Sequence, residues 1–151
     1  MIRVKEILDR KKRPDNLVKP SDLVIDALNM LTSVNLSYLV VMDGKEYKGI
    51  FCERDYTRNV ILKGRSSRTA TVQEVMTVDL PMVQITDTVE HCMNVMNLHK
   101  ARYLLAYNDQ HFEGVITIHD LLRQVIFNKQ AVFDSMAVDK LIDREEGEKI
   151  Y

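Results

Sequence analysis

The chain has 151 residues, of which 46% are hydrophobic and 28% are charged, and its formal net charge is −1. This size and composition are typical of a folded globular protein and exclude a disordered chain. The small net charge excludes a global field that would recruit nucleic acid or an anionic membrane, so we expect neither as a partner. No apolar run reaches the roughly 18 residues that a membrane span requires.

Cys52 and Cys92 lie in apolar surroundings far apart in the sequence. Such spacing favours two buried, reduced thiols over a disulfide framework. The first six residues lack the apolar core of a signal peptide. We therefore expect a cytoplasmic protein.

The first half of the chain alternates strand and helix patterns. A short helical pattern, Val4–Leu8, precedes the basic stretch Arg10–Arg13, which we interpret either as a solvated loop or as an anion contact. Four elements follow in order: a strand at Asn16–Lys19, a helix capped by Ser21 or Asp22 that ends near Val34, a hairpin of Tyr38–Met42 and Tyr47–Cys52, and a helix from Glu53 to about Lys63.

The second half repeats this order after the polar linker 64–69. The elements are a short segment at Val72–Met76, a strand at Met82–Ile85, a helix capped by Thr86 or Asp87, a hairpin of Tyr103–Tyr107 and Phe112–Ile116, and a helix from Thr117 to about Asn128. We predict that the tail, Ala131–Tyr151, is an appended helix.

An internal duplication underlies this order. When Val18–Ile61 is laid over Val83–Ile126 without a gap, 11 of the 44 positions are identical. They are Val18, Asp22, Val24, Asn29, Tyr38, Leu39, Gly49, Asp55, Arg58, Val60 and Ile61. Two copies are too few for a solenoid, and we predict two similar α+β units, each a small sheet covered by two helices.

Four stretches resemble one family, the CBS domain, named after cystathionine β-synthase. Gly49–Arg58 and Gly114–Asp120 are similar to its strand-to-helix junctions, and the first has the form seen in many stand-alone bacterial CBS-pair proteins. Lys63–Ser67 resembles the linker of those proteins, and Val72–Thr77 resembles the usual opening of a second copy. The likeness covers about residues 3–128.

The resemblance implies a tandem pair, called a Bateman module, whose two copies are related by a pseudo-two-fold axis and pack through their sheets with two clefts between them. Repeat 1 would be residues 1–64, repeat 2 residues 65–130, and the tail residues 131–151. Such modules bind adenosine ligands, namely AMP, ADP, ATP, NAD(H) or S-adenosylmethionine, as regulatory ligands rather than as required cofactors. They form homodimers, act on a partner protein and are generally not catalysts.

The second junction has the chemistry for such a ligand. A helix N-terminus offers backbone N–H groups to a phosphate, and the Thr117 hydroxyl could join them. Asp120 could accept both hydroxyls of a ribose, because a carboxylate has two oxygens. Gly114 allows a close approach to the strand. His119 would face either a phosphate or solvent.

A purely structural role competes with this interpretation. Thr117 and Asp120 have the spacing of a capping box, in which the two residues close the first helical turn reciprocally. Asp55 recurs at the matching place, but Cys52 stands three residues before it instead of Ser or Thr. We expect that reciprocal capping cannot explain both copies.

The two copies are not equivalent. Cys52 occupies the place where the family has Ser or Thr, and a thiol is a weak donor. We therefore favour a ligand at Thr117 and Asp120 and keep Asp55 as a second candidate. The counter-charges for a phosphate would come from four basic residues, each of which could equally be solvated: Arg54, Arg58, Lys63 and Arg65.

The sequence gives no sign of catalysis or of a metal. The four histidines show no metal-type spacing with either cysteine, and no phosphate-binding loop or nucleophile elbow is present. The first hypothesis is therefore an adenine-nucleotide sensor. The alternative is a ligand-free dimerisation or interaction scaffold, favoured by Cys52 and by Val40 and Leu105, which stand where the family often has proline.

Overall fold

The computed structural model describes residues 2–11, 16–34 and 36–128. The predicted C-terminal helix lies outside these residues, as does most of the basic loop. The described chain forms two compact units. We call residues 16–34 and 36–79 the first-sheet unit, and residues 2–11 and 80–128 the second-sheet unit.

The first-sheet unit contains a three-stranded sheet in the order β1-β2-β3. Its elements are β1 (Leu17–Val18), α2 (Val24–Val34), β2 (Tyr38–Asp43), β3 (Glu46–Cys52), α3 (Glu53–Asp55) with a π-helical continuation (Tyr56–Ile61), and α4 (Val72–Val75). β1 is parallel to β2, and β2 is antiparallel to β3. The core packs apolar side chains of the sheet, α2 and α4 together, among them Leu39, Phe51 and Val72.

The second-sheet unit has the same order of elements around the sheet β4-β5-β6. Its elements are α1 (Val4–Arg10), β4 (Met82–Gln84), α5 (Val89–His99), β5 (Tyr103–Asn108), β6 (His111–Thr117) and α6 (Ile118–Asn128). Both hairpins carry a register shift at the same place, after Val41 and after Ala106. The predicted α+β class, with strand–helix–strand–strand–helix in each copy, is confirmed.

The short helix that opens each sequence repeat belongs to the unit of the other repeat. In the second-sheet unit the backbone N–H of Val4, in α1, donates to Asp87 O at 2.9 Å. In the first-sheet unit the N–H of Val72, in α4, donates to Asp22 O at 2.8 Å. The predicted boundaries 1–64 and 65–130 follow the duplication in the sequence and stay a prediction.

The acids predicted to cap α2 and α5 do something else. Asp22 and Asp87 each accept, through Oδ2, the backbone N–H three residues earlier, that of Lys19 at 2.9 Å and that of Gln84 at 2.8 Å. α5 is capped by Thr88, whose hydroxyl accepts the N–H of the third helical residue at 3.1 Å. The prediction placed the α5 cap one or two residues too early, because several adjacent polar residues can each serve as caps.

The helix predicted from Glu53 to Lys63 is α-helical only over its first turn. From Tyr56 to Ile61 it is a π-helix, and the N–H of Leu62 donates to Thr57 O, five residues back, at 3.1 Å. An apolar pattern does not distinguish this wider turn from an α-helix, because both can direct the same buried residue, here Val60, to the core.

In the first-sheet unit Gly49 lies close against Met76 and Thr77, which follow α4. A Cβ at this position would lie 2.7 Å from Met76 Sδ and 2.9 Å from Thr77 O. We expect Gly49→Ala to lower the free energy of unfolding by roughly 1–3 kcal/mol, the usual cost of overpacking. Urea denaturation measures this. Gly44→Asn is the control, since Gly44 has φ +61° and open space around it. Equal stability of Gly49→Ala and the parent chain would refute the close approach.

Candidate functional site

The predicted junction in the second-sheet unit forms a reciprocal capping box at the start of α6. Asp120 Oδ2 accepts the backbone N–H of Thr117 at 2.8 Å, and Thr117 Oγ1 accepts the N–H of Asp120 at 3.2 Å. The N–H of Ile118 donates to Arg102 O at 3.0 Å. We expected the N–H groups at the start of α6 to be free for a phosphate. This is wrong for Ile118 and Asp120, because protein oxygens already accept from their N–H groups.

Lys11, directly after α1, reaches the same carboxylate. Its ammonium donates to Asp120 Oδ2 at 2.8 Å and to the backbone oxygen of Val115 at 2.9 Å. The Asp120 side chain is only 6% exposed and that of Lys11 only 22%. A carboxylate so deeply buried requires a positive partner, because burial of an unpaired charge is costly.

A cavity of about 300 Å³ opens beside this ion pair, between the end of α1 and one side of α6. It is lined by Ile7, Arg10, Lys11, Asp120, Arg123, Gln124 and Phe127. Three of these side chains are cationic and one is acidic, so the cavity favours an anion. Ile7 and Phe127 add apolar surface that could contact a flat ring.

Gln124 has an unsatisfied atom at this cavity. The residue is 6% exposed, yet its Oε1 is buried without a hydrogen-bond partner among the described residues. A buried acceptor of this kind is usually hydrogen-bonded, so Oε1 is available to a donor that enters the cavity. Gln124 therefore points to a group that donates a hydrogen bond inside the cavity.

In the first-sheet unit the residue that corresponds to Gln124 uses its amide as a hydrogen-bond donor. Asn59 is the repeat counterpart of Gln124, and its Nδ2 donates to Val75 O at the end of α4, at 2.9 Å. α1 continues for more turns than α4, so the matching carbonyl, Ile7 O, already accepts the N–H of Lys11 at 3.0 Å. In the longer helix the matching carbonyl is therefore already bonded within the helix, which concerns the NH2 group of Gln124 and not its orphaned Oε1.

Asp55, the counterpart of Asp120, has both carboxylate oxygens engaged. Oδ2 accepts the N–H of Cys52 at 2.8 Å, and Oδ1 accepts the Thr77 hydroxyl at 2.5 Å. The expectation that reciprocal capping cannot explain both copies is wrong, because Cys52 and Asp55 also form a capping box. The bond from the carboxylate to the N-cap backbone needs no hydroxyl on the N-cap residue, so Cys52 supports it as well as Thr117 does.

Burial raises the pKa of the Cys52 thiol from 9.0 to about 11, and the Asp55 carboxylate adds to the shift. Cys92 is likewise buried and free, with its pKa raised to about 11 by burial and, next, by Asp87. At pH 8 each native thiol should hold roughly a hundredfold less thiolate than in the unfolded chain, and thiolate is the reactive form.

We therefore expect both thiols to react with a disulfide reagent at pH 8 at least about a hundredfold more slowly in the native than in the unfolded protein. Because the folded pKa is the higher one, stability is full below pH 9 and falls as the pH rises from 9 to 11. Equal native and unfolded reaction rates would contradict the burial of these groups.

Six other site residues were predicted. Four of them, all in the first-sheet unit, are exposed: Arg54, Arg58, Lys63 and Arg65. Arg65 Nη1 donates to Asn59 O at 2.7 Å. In the second-sheet unit Gly114 has φ +155°, and a Cβ there would lie 3.1 Å from Leu8 Cδ2. His119 is partly buried, and its Nδ1 has no partner among the described residues. Their ligand roles stay predictions.

The sequence analysis missed Lys11, Arg123 and Gln124 as individual site residues. One signal for Arg123 was present, since it is the repeat counterpart of Arg58, which was predicted. Lys11 was hidden in a run of four basic residues, and nothing in that run singled it out. Gln124 carried no signal, because only tertiary packing places it at the cavity.

Two negative observations concern the described residues. None of the helices in this part of the chain is long and apolar enough to cross a membrane. Nowhere in residues 2–11, 16–34 and 36–128 do three His, Cys, Asp or Glu side chains form a group that could hold a metal ion.

Comparison with known proteins agrees with the duplication. The CBS-domain model matches residues 4–61 and again residues 72–126. The chain is 32% identical over 110 residues to CBSX3, a mitochondrial CBS domain-containing protein of Arabidopsis thaliana, in a match that covers 70% of this chain and 53% of that protein. The chain thus spans about half the length of this relative.

Two solved structures are similar over nearly their whole length. A CBS-domain protein from Burkholderia ambifaria MC40-6 is 31% identical with a TM-score of 0.77, covering 88% of this chain and 100% of that one. CBSX2, solved in complex with AMP, is 25% identical with a TM-score of 0.67, covering 85% of this chain and 99% of that one. With two matched copies in one chain, the protein belongs to the CBS-domain family as a tandem CBS pair.

Proposed function

We propose that this CBS pair is a non-catalytic regulatory module that binds an adenosine-containing ligand at Asp120. The observation that carries the proposal is the cavity in the second-sheet unit, where a buried carboxylate lies beside three cationic side chains. A carboxylate can accept both hydroxyls of a ribose, and cationic side chains pair with a phosphate, so the cavity has a partner for each. The AMP complex of CBSX2 supports this class of ligand.

The roles of the lining residues follow from their chemistry. Asp120 accepts the ribose hydroxyls, with Thr117 holding it in place as the N-cap. Arg10 and Arg123, together with Lys11, neutralise the phosphate. The amide oxygen of Gln124 accepts from a donor on the base, and the exocyclic amine of adenine is such a donor.

We propose that Asp55 serves the fold instead. Its two oxygens already accept from Cys52 and Thr77, so a ribose would have to break two short hydrogen bonds to reach it. The expected stoichiometry is one ligand per chain.

Thermal unfolding tests the ligand class. AMP, ADP, ATP, NAD⁺, NADH and S-adenosylmethionine are each added at millimolar concentration, with GMP as the control for the base. A ligand at about 100 times its Kd adds roughly 2.7 kcal/mol to stability, which raises the Tm by several degrees. A flat response to all six adenosine compounds would overturn the proposal and favour the ligand-free scaffold.

A homodimer is the assembly that we propose for the module. Large apolar side chains are exposed on both α5 and α6: Leu98 is 80% exposed, and Leu122 and Phe127 are 45% and 40% exposed. Such side chains on neighbouring helices are typical of an interface. Light scattering should give twice the chain mass, and a monomeric mass at micromolar concentration would contradict the dimer.

A partner protein would read the ligand state. The buried free thiols suit a reducing compartment such as the cytoplasm.

A further inference from the structure

In the first-sheet unit the backbone of Thr77 closes the edge of β3 beside Asp55. Its N–H donates to Ile50 O at 2.9 Å, and its carbonyl accepts the N–H of Ile50, also at 2.9 Å. Its hydroxyl donates to Asp55 Oδ1 at 2.5 Å. One residue therefore satisfies both a strand carbonyl and the carboxylate at the start of the following helix.

In the second-sheet unit a single ammonium group takes over both of these contacts. Val115 and Asp120 are the repeat counterparts of Ile50 and Asp55, each 65 residues later. Lys11 Nζ donates to Val115 O at 2.9 Å and to Asp120 Oδ2 at 2.8 Å. In the second-sheet unit a flexible lysine side chain thus makes the two contacts that Thr77 makes in the first-sheet unit.

The contacts of Thr77 and those of Lys11 differ in how easily they can be broken. Thr77 is held by two backbone hydrogen bonds and by close packing against Gly49, so it cannot leave without breaking the sheet edge. Lys11 can withdraw its ammonium by rotation about its side-chain bonds while its backbone stays in place. Asp120 can therefore be exposed to a ligand at lower cost than Asp55.

Withdrawal of Lys11 creates a demand for negative charge. The ammonium leaves its carboxylate, and the same cavity already holds Arg10 and Arg123. A neutral nucleoside can supply hydroxyls to Asp120 but nothing to the displaced cation. A nucleotide supplies both, because its phosphate accepts from the ammonium as its ribose donates to Asp120.

We propose that Lys11 is a specificity-determining residue that makes the Asp120 site prefer phosphorylated over unphosphorylated adenosine. Lys11 competes with the ribose for Asp120 in the free protein and pairs with the phosphate in the complex. This inference rests on the proposed function, and it names the ligand class within it, an adenosine phosphate.

Calorimetric titration of AMP and of adenosine tests the inference. We expect the parent chain to bind AMP at least about tenfold more tightly than adenosine. In Lys11→Met the preference should fall to within about threefold, because adenosine meets no competitor and AMP loses a cation. Lys11→Gln should lose the preference equally. Because the glutamine retains a hydrogen-bond donor for Asp120, it serves as the test if the methionine variant does not fold. Lys11→Arg should keep the preference.

Lys5→Met is the matched control. Lys5 lies on the same helix and also forms an ion pair, with Asp9 at 3.0 Å, but both side chains are exposed. Its loss should leave the preference for AMP unchanged. If the preference persists in both Lys11→Met and Lys11→Gln while Asp120→Asn abolishes AMP binding, the inference about Lys11 is wrong and the proposed function stands. If neither AMP nor adenosine binds the parent chain or any Lys11 variant, the inference about Lys11 is overturned, and the proposed function is overturned as well when thermal unfolding shows no response to any of the six adenosine compounds.

Discussion

Replacement of Asp120 by asparagine is expected to weaken AMP binding by at least about tenfold. The amide has the shape of the carboxylate but lacks its charge, and it offers one acceptor oxygen where the ribose needs two. A hydrogen bond to a charged group contributes about 1.5–3 kcal/mol, so the loss of one or two such bonds gives this factor. Calorimetric titration of the variant against the parent chain measures it.

The asparagine can still accept the N–H of Thr117 through its oxygen, so the α6 cap is retained. Asp109→Asn is a suitable control, because Asp109 lies in the turn between β5 and β6 and outside the cavity. Its AMP affinity should match that of the parent. Unchanged affinity in a folded Asp120→Asn protein would show that the ribose binds elsewhere.

Replacement of Asp55 by alanine is expected to have the opposite profile, a large loss of stability with little change in binding. Asp55 is 4% exposed, and its removal leaves the N–H of Cys52 and the hydroxyl of Thr77 without their acceptor. An unsatisfied buried donor costs about 1–3 kcal/mol, so we expect a loss of roughly 2–4 kcal/mol in the free energy of unfolding. Denaturant unfolding monitored by circular dichroism measures this.

Thr77→Val measures the contribution of the Thr77–Asp55 hydrogen bond by itself. It removes the hydroxyl bond to the Asp55 carboxylate but keeps the two backbone bonds to Ile50, so the expected loss is about 1.5–3 kcal/mol. AMP affinity should stay within twofold of the parent in both variants. A folded Asp55→Ala protein that has lost AMP binding would mean that both acids hold ligand, and the expected stoichiometry of one per chain would be wrong.

Periodicity and turn chemistry predicted the fold well, because the same order of elements occurs twice in the sequence. The two hairpins, the helices that follow them and the α+β class were all read from alternating apolar residues and from turns such as Asp43-Gly44. The π-helical segment was missed, because an apolar stripe is compatible with both an α-helix and a π-helix. The caps were placed too early where several polar residues adjoin.

The candidate site was predicted only in its local part. Thr117 and Asp120 could be found because strand, turn and helix meet within one short stretch of sequence. Lys11 lies more than a hundred residues earlier, and only the packing of α1 against its sheet brings it to Asp120. Gln124 likewise becomes a candidate only because the fold places it at the cavity beside Lys11. Tertiary relations of this kind leave no periodic pattern in the sequence.

The crystal structure of the chain with AMP tests the central claim most directly. We expect one AMP per chain, with ribose hydroxyls within hydrogen-bond distance of Asp120 and with the Lys11 ammonium moved from Asp120 to the phosphate. AMP bound away from Asp120, or a ribose at Asp55 instead, would contradict the account.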